Sequence, residues 1–125
     1  MNFEIIFDHM PAYVLIRTEG AALDRDFDDL LTTLVDSPEW TIGTDQLLDH
    51  RNLIGSYLTW DHLDRISSII KKHAEKLGNG RCGFVVPSDT GFGLVRMYEM
   101  MGGESVHREV QVFYSMDEAV EWISQ

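Results

Sequence analysis

Residues 2–16 read Asn2-Phe3-Glu4-Ile5-Ile6-Phe7-Asp8-His9-Met10-Pro11-Ala12-Tyr13-Val14-Leu15-Ile16, and this stretch decides the fold. Phe3, Ile5 and Phe7 share one side of an extended chain, with Glu4 and Asp8 opposite. A period of two is that of a strand with one buried face. Asp8 to Ala12 has the composition of a turn. Tyr13-Val14-Leu15-Ile16 is a short unbroken apolar run, as expected of a strand covered on both faces. So short a connection makes the two strands an antiparallel hairpin.

Outward from the hairpin the period changes. Leu23, Phe27, Leu30, Leu31 and Leu34 form one stripe of a helix. Asp24, Asp26, Asp28 and Asp29 crowd its first turns, where the helix dipole favours negative charge, and otherwise read as a solvated face. Ser37-Pro38 ends it, because a residue before proline is pushed out of the α region. Gln46-Leu47-Leu48-Asp49 is a short third strand. Thr59 reads as an N-cap for a helix carrying Leu63, Ile66, Ile69, Ile70, Ala74 and Leu77, closed by Gly78. Arg81 to Val86 is a fourth strand, stopped by Pro87. Phe92, Val95, Met97, Met100 and Met101 mark a helix over 89–101, ended by Gly102-Gly103. Val110, Val112 and Tyr114 alternate as a fifth strand. Ser115 and Glu118 form a capping box for a last helix with Met116, Ala119, Val120 and Ile123. The order β-β-α-β-α-β-α-β-α predicts an α/β fold with a five-stranded mixed sheet. Its crossovers are parallel and right-handed, and the hairpin supplies the antiparallel strand.

Composition narrows the function. The chain has 125 residues, enough for one domain, and 44% of them are hydrophobic. No linker or repeat divides it, so residues 1–125 are expected to form a single domain. With 21 acidic against 10 basic residues the net charge is −11, a field that repels phosphate backbones and anionic headgroups. Nucleic acid is therefore not expected as a partner. The single cysteine, Cys82, cannot form an intrachain disulfide and reads as a small buried hydrophobe. No apolar run reaches membrane-spanning length, so no integral membrane segment is expected. The first residues lack the basic and apolar regions of a signal peptide, and a cytoplasmic location is the expectation.

Several segments in this order resemble the SpoIIAA-like family of small bacterial proteins, which is grouped with STAS and CRAL-TRIO domains. The carriers are Phe3-Glu4-Ile5, Tyr13-Val14-Leu15-Ile16-Arg17, Pro38-Glu39-Trp40 with Gly43, and Leu47-Leu48-Asp49. They continue with Val85-Val86-Pro87-Ser88-Asp89, Phe92-Gly93-Leu94-Val95-Arg96-Met97-Tyr98, and Phe113 through Ile123. The resemblance covers nearly the whole chain and implies helices largely on one side of the sheet. In anti-sigma-factor antagonists of this kind, a serine in an Asp-Ser-Ser-Gly-like motif after the third strand is phosphorylated. The corresponding stretch, Asp49-His50-Arg51-Asn52-Leu53-Ile54-Gly55-Ser56, lacks that motif, and Ser56 is its nearest hydroxyl.

Ligands of parallel sheets tend to lie beyond the carboxyl ends of the strands. That edge should carry Asp49, His50, Arg51, Ser88, Asp89 and Ser115. The competing reading makes Asp89 and Ser115 helix caps and pairs Asp49 with Arg51 or a loop amide. Met97, Met101, Phe92 and Tyr98, with Arg96 among them, form a soft apolar helix that suits either core or a binding surface. The five histidines show no ligand spacing, so neither metal nor cofactor is expected, and Trp40, Trp60 and Trp122 are too scattered to read as one site. The leading expectation is a non-enzymatic regulatory or protein-binding module, with a protein partner or self-association as a homodimer through an exposed fifth strand or through small apolar helices. One alternative is a carrier of a small apolar or lipid-like ligand held by Phe92, Met97, Tyr98 and Met101. Another is an enzyme using Asp49, His50, Arg51 and Asp89.

Overall fold

The computed structural model describes residues 1–54, 59–87 and 106–125. Its sheet has five strands: β1 (Asn2–Ile6), β2 (Tyr13–Ala21), β3 (Asp45–Ile54), β4 (Cys82–Val85) and β5 (Val110–Phe113). They lie in sequence order, with β1 antiparallel to β2 and every later neighbour parallel. Four helices are described: α1 (Asp24–Asp36), α2 (Trp60–Lys72), α3 (Ala74–Leu77) and α4 (Met116–Ile123). The α/β class, the mixed sheet and the antiparallel hairpin are as the sequence predicts. The helix expected over 89–101 lies outside the described residues.

Strand alternation sorts the core into two layers. Val14, Ile16, Leu48, Cys82, Phe84 and Val110 face Leu30, Leu31 and Leu34 of α1 and Leu77 of α3. Tyr13, Leu15, Leu47 and Val85 face Ala119 and Ile123 of α4. The unbroken run in β2 is thus buried on both faces, as its composition requires. In β1, Phe3 and Ile5 join the first layer, but Ile6 packs against the second, so this strand too is apolar on both sides at its end.

Several boundaries differ from the sequence reading, each for a local reason. β2 and β3 run on past the expected strands to Ala21 and Ile54, zipped from Tyr13↔Asp45 to Ala21↔Ile54 with one irregularity between Arg17 and Glu19. Leu23 is the N-cap of α1 and is 50% exposed, so it belongs to no core stripe. Leu23 has no side-chain acceptor to cap the helix, and Asp26 supplies the reverse half of a capping box by accepting the Leu23 N–H at 2.7 Å. The acidic first turns are not simply solvated: Asp24 pairs with Arg65, and Asp28 holds Lys72 at 3.1 Å and His73 at 2.7 Å. The helix expected through Leu77 is broken at His73, whose N–H bonds Ile70 O one residue short of the helical register. The N-cap predicted at Thr59 is present, with His62 completing the box in place of an acid. Ser115 Oγ accepts the Glu118 N–H at 3.3 Å, the forward half of the predicted capping box.

One side chain ties α4 to the amino end of the sheet. Arg81 donates through Nε and Nη2 to Asp45 Oδ2 at 3.1 and 3.0 Å, while its own N–H reaches Asp45 Oδ1 at 2.8 Å. The same guanidinium donates to the main-chain oxygens of Trp122, Ile123 and Gln125 at 3.1, 2.9 and 2.9 Å. These include carbonyls that the end of α4 leaves without helical partners. Its carbon also lies 4.8 Å from the Trp122 ring centroid, within cation–π range. The ring reaches the sheet because Gly83 is there: a Cβ at that position would lie 3.1 Å from Leu47 and 3.2 Å from Trp122.

Both charges of this pair are largely buried. Replacing Arg81 by Met leaves the Asp45 carboxylate with the residue-81 N–H and Arg108 at 4.0 Å, takes the donor from several main-chain oxygens, and is expected to cost roughly 3 kcal/mol in urea unfolding. Adding Asp45→Asn to that variant should recover part of the loss, because no unpaired charge then remains. An unchanged urea midpoint in the single variant would mean that α4 is held by apolar packing alone.

Candidate functional site

The carboxyl ends of β2 and β3 project beyond the end of β4, with β1 still flanking β2 as far as Glu19. β4 stops at Val85, opposite Asp49, whereas β3 continues for five further residues to Ile54. Of the described residues of the expected polar site, Asp49, His50 and Arg51 lie together on β3, where alternation divides them between its faces, whereas Ser115 follows β5 and caps α4.

Asp49 points to the face that carries α4 and is 5% exposed. Arg51, two residues on and therefore on the same face, grips it in a fork: Nε to Oδ1 at 2.8 Å and Nη2 to Oδ2 at 2.9 Å. The Arg51 N–H adds a bond to Oδ1 at 3.2 Å. Arg17 stands 4.0 Å from the same carboxylate and 3.9 Å from Glu4, extending the alternation of charge onto β1. The bonds from Arg51 hold the Asp49 carboxyl below the usual carboxylate range, against the opposing effect of burial. The fork likewise raises the Arg51 guanidinium. A carboxylate held this way is a structural anion, with both oxygens committed to donors.

His50 points to the opposite face. Its Nδ1 lies 2.6 Å from Thr18 Oγ1, which also reaches Asp49 O at 3.3 Å, and its ring packs against Phe84 at 5.6 Å. Burial outweighs the attraction of Asp49 and pushes the imidazole down to about 4, so His50 is neutral at pH 7. Asp49 and Arg51 therefore meet, whereas His50 is turned away from both. Ser88, Asp89, Phe92, Arg96, Met97, Tyr98, Met101 and Ser56 lie outside the described residues. Cys82 is buried in the first core layer, and burial pushes its thiol far up. Among the described residues no group of three or more His, Cys, Asp or Glu has the geometry to hold a metal ion. A cleft of about 380 Å³ opens beside the projection, lined by Asn2, Phe3, Glu4, Arg17, Thr18, Glu19 and Asn52. Its lining is mostly polar, unlike the apolar pocket expected of a lipid carrier.

The sequence reading missed an apolar group at the same edge. Leu23 follows β2, Ile54 ends β3 and Trp60 opens α2; they are 50%, 54% and 50% exposed. Ala21↔Ile54 pairing and the Asp24–Arg65 bridge bring the three chain segments together. Their signal in the sequence was position: each stands at an element end, where a side chain leaves the stripe that feeds the core.

The buried histidines give the fold a defined acid response. His107 is 4% exposed, its Nδ1 has no hydrogen-bond partner among the described residues, and burial pushes it down to about 4. For His50 and His107 the folded value lies below the unfolded value of about 6.5. The unfolded chain thus binds protons that the native chain refuses, and stability falls as pH drops from about 6.5 to about 4, then levels. Each histidine should contribute about 1.4 kcal/mol per pH unit across that window. Urea midpoints from pH 7 to 4 should fall steeply in the wild type, and His50→Gln and His107→Gln should each flatten the curve. Stability that stays constant over this range would show that both imidazoles titrate normally.

No family model matches the chain, and no curated protein matches it. A solved structure does: an uncharacterised protein of the DUF3478 family from Shewanella loihica PV-4, described as having a SpoIIAA-like fold, with a TM-score of 0.65 and 16% sequence identity. The match covers 98% of this chain and 92% of that one. At that identity the likeness speaks for architecture, and it agrees with the strand order and pairing described above: this chain has a SpoIIAA-like fold.

Proposed function

We propose that these 125 residues act as one non-enzymatic regulatory module of the STAS-like type, binding a protein partner at the carboxyl edge of the sheet. The observation that carries this reading is the exposed group of Leu23, Ile54 and Trp60 on the adjoining ends of α1, β3 and α2. Burying a large apolar side chain is worth roughly 1.5–3 kcal/mol, so three side chains half in water leave appreciable binding energy unused in the isolated chain. Aromatic anchors ringed by polar residues are the usual hot spots of protein interfaces. The polar residues of the edge support a scaffold role, since Asp49 is committed to Arg51 and His50 to Thr18. Regulation by a phosphoserine after the third strand is not part of this reading. The chain continues there as β3 to Ile54, and the Asp-Ser-Ser-Gly-like motif is missing.

Affinity capture from source lysate should recover a stoichiometric protein partner with the wild-type chain. Trp60→Ala, and independently Ile54→Thr, should reduce recovery about tenfold while circular dichroism and urea midpoints stay near wild type. An identical set of captured proteins for wild type and both variants would count decisively against this surface.

A further inference from the structure

The exposed apolar group does not stand in neutral surroundings. Glu19 on β2 and Asp61 and Asp64 on α2 are exposed and carry no ion pair among the described residues. The cations on the projection and on α2 nearby are already engaged, Arg51 by Asp49, Arg17 by Glu4 and Asp49, and Arg65 by Asp24. Asp61 and Asp64 lie four and one residues before Arg65, so that guanidinium faces three carboxylates and neutralises one charge among them. Beside Leu23 the Met1 ammonium is held by Asp26 at 3.2 Å, and Arg25 stands exposed at the start of α1. The whole chain adds a field of net charge −11. Apolar anchors thus sit within a surplus of unpaired negative charge.

From this arrangement we infer that the carboxyl edge docks a cationic segment of a partner protein, one whose apolar residues seat on Leu23, Ile54 and Trp60 while its Lys or Arg residues meet Glu19, Asp61 and Asp64. The inference rests on the reading of that edge as a docking surface and names the chemistry of what it takes. Complementary charge steers encounter and fixes orientation, while the apolar contacts hold the complex. A second copy of this chain is a poor occupant, because it would bring the same carboxylates and the same net charge to the contact. An anionic lipid surface meets the same repulsion.

A fluorescein-labelled amphipathic Leu/Lys peptide of about 18 residues serves as the probe, with a Leu/Glu peptide of equal length and a Ser/Lys peptide of equal charge as controls. The Leu/Lys peptide should bind by fluorescence anisotropy, with the Leu/Glu and Ser/Lys peptides each weaker by about tenfold or more. Trp60→Ala should weaken it similarly, and the Asp61→Asn/Asp64→Asn variant should weaken it and flatten its dependence on salt between about 50 and 500 mM. Lack of binding, equal binding of the Leu/Glu peptide, or an unchanged salt dependence in the carboxamide variant overturns the inference. So does a dimer by light scattering that Trp60→Ala dissociates, or binding to phosphatidylcholine or phosphatidylglycerol vesicles in place of the peptide. If the peptide fails while Trp60→Ala still removes a captured partner, the charge inference falls and the docking surface stands. If Trp60→Ala changes neither, both fall.

Discussion

The parallel ladder between β2 and β3 is the pairing on which the rest of the molecule depends. It is the longest in the sheet, running from Tyr13↔Asp45 to Ala21↔Ile54, and its central residues Val14, Ile16, Leu47 and Leu48 supply both core layers. β1 and β4 add to its two sides, and β5 adds to β4. Because β3, β4 and β5 each run parallel to the strand before, the chain must cross back over the sheet each time. Of those crossovers, α1 and the α2–α3 pair lie on one face and meet through Asp24–Arg65 and Asp28–Lys72. Packing of α1 against α2 is thus a consequence of strand order, reinforced by charge.

The two ends of this ladder are built differently. At the amino end, Asp45 and Arg81 bind one another, bridge neighbouring strands, and reach the end of α4. There the backbone also closes up: a Cβ on Gly80 would stand 2.6 Å from Thr44 O, a gap that only glycine leaves open. A buried pair of this kind stabilises only while complete, since loss of either member leaves an uncompensated charge. At the carboxyl end the described polar ties across the strands, Thr18 to His50 and Arg17 to Asp49, join β2 to β3. The two strands run out beyond β4, and their last apolar residues meet solvent. Among the described residues the amino end is thus the one joined to a helix end by a buried ion pair, while Leu23, Ile54 and Trp60 stand exposed at the other.

Most of the architecture was legible because it rests on periodicity. The alternation of Phe3, Ile5 and Phe7, the stripe of Leu30, Leu31 and Leu34, and the caps at Thr59 and Ser115 each carry a local signature that packing reinforced. The continuation of β3 through His50, Arg51 and Asn52 was not legible. Its residues alternate in direction but not in polarity, because the partners that satisfy them are an arginine fork and a threonine hydroxyl rather than a solvent face and a core face. The break at His73 was hidden for a related reason: Ile69, Ile70, Ala74 and Leu77 keep helical spacing across it, while Asp28 on another helix holds the His73 ring. As for the polar edge, the sequence placed Asp49, His50 and Arg51 side by side. Adjacent positions in a strand necessarily part, and only the pair at i and i+2 could meet.

The pairing of Asp49 with Arg51 links the buried charge to the exposed edge. Asp49 faces the α4 side of the sheet at a depth where an isolated carboxylate would be costly. Arg51 can reach it only if residues 49–51 remain extended, because a turn after Asp49 would carry the guanidinium off that face. β2 flanks this stretch on both sides of the irregularity, through Arg17 opposite Asp49 and through Glu19, Gly20 and Ala21 opposite Asn52, Leu53 and Ile54. Once the strand is extended to satisfy Asp49, pairing carries it on to Leu53 and Ile54, past the end of β4. The exposure of Ile54 beside Leu23 and Trp60 is then the structural counterpart of neutralising Asp49. The same residues that remove the acid from chemistry push an apolar edge into solvent, which is why the polar group singled out from sequence and the apolar group found in the structure occupy one place in the fold.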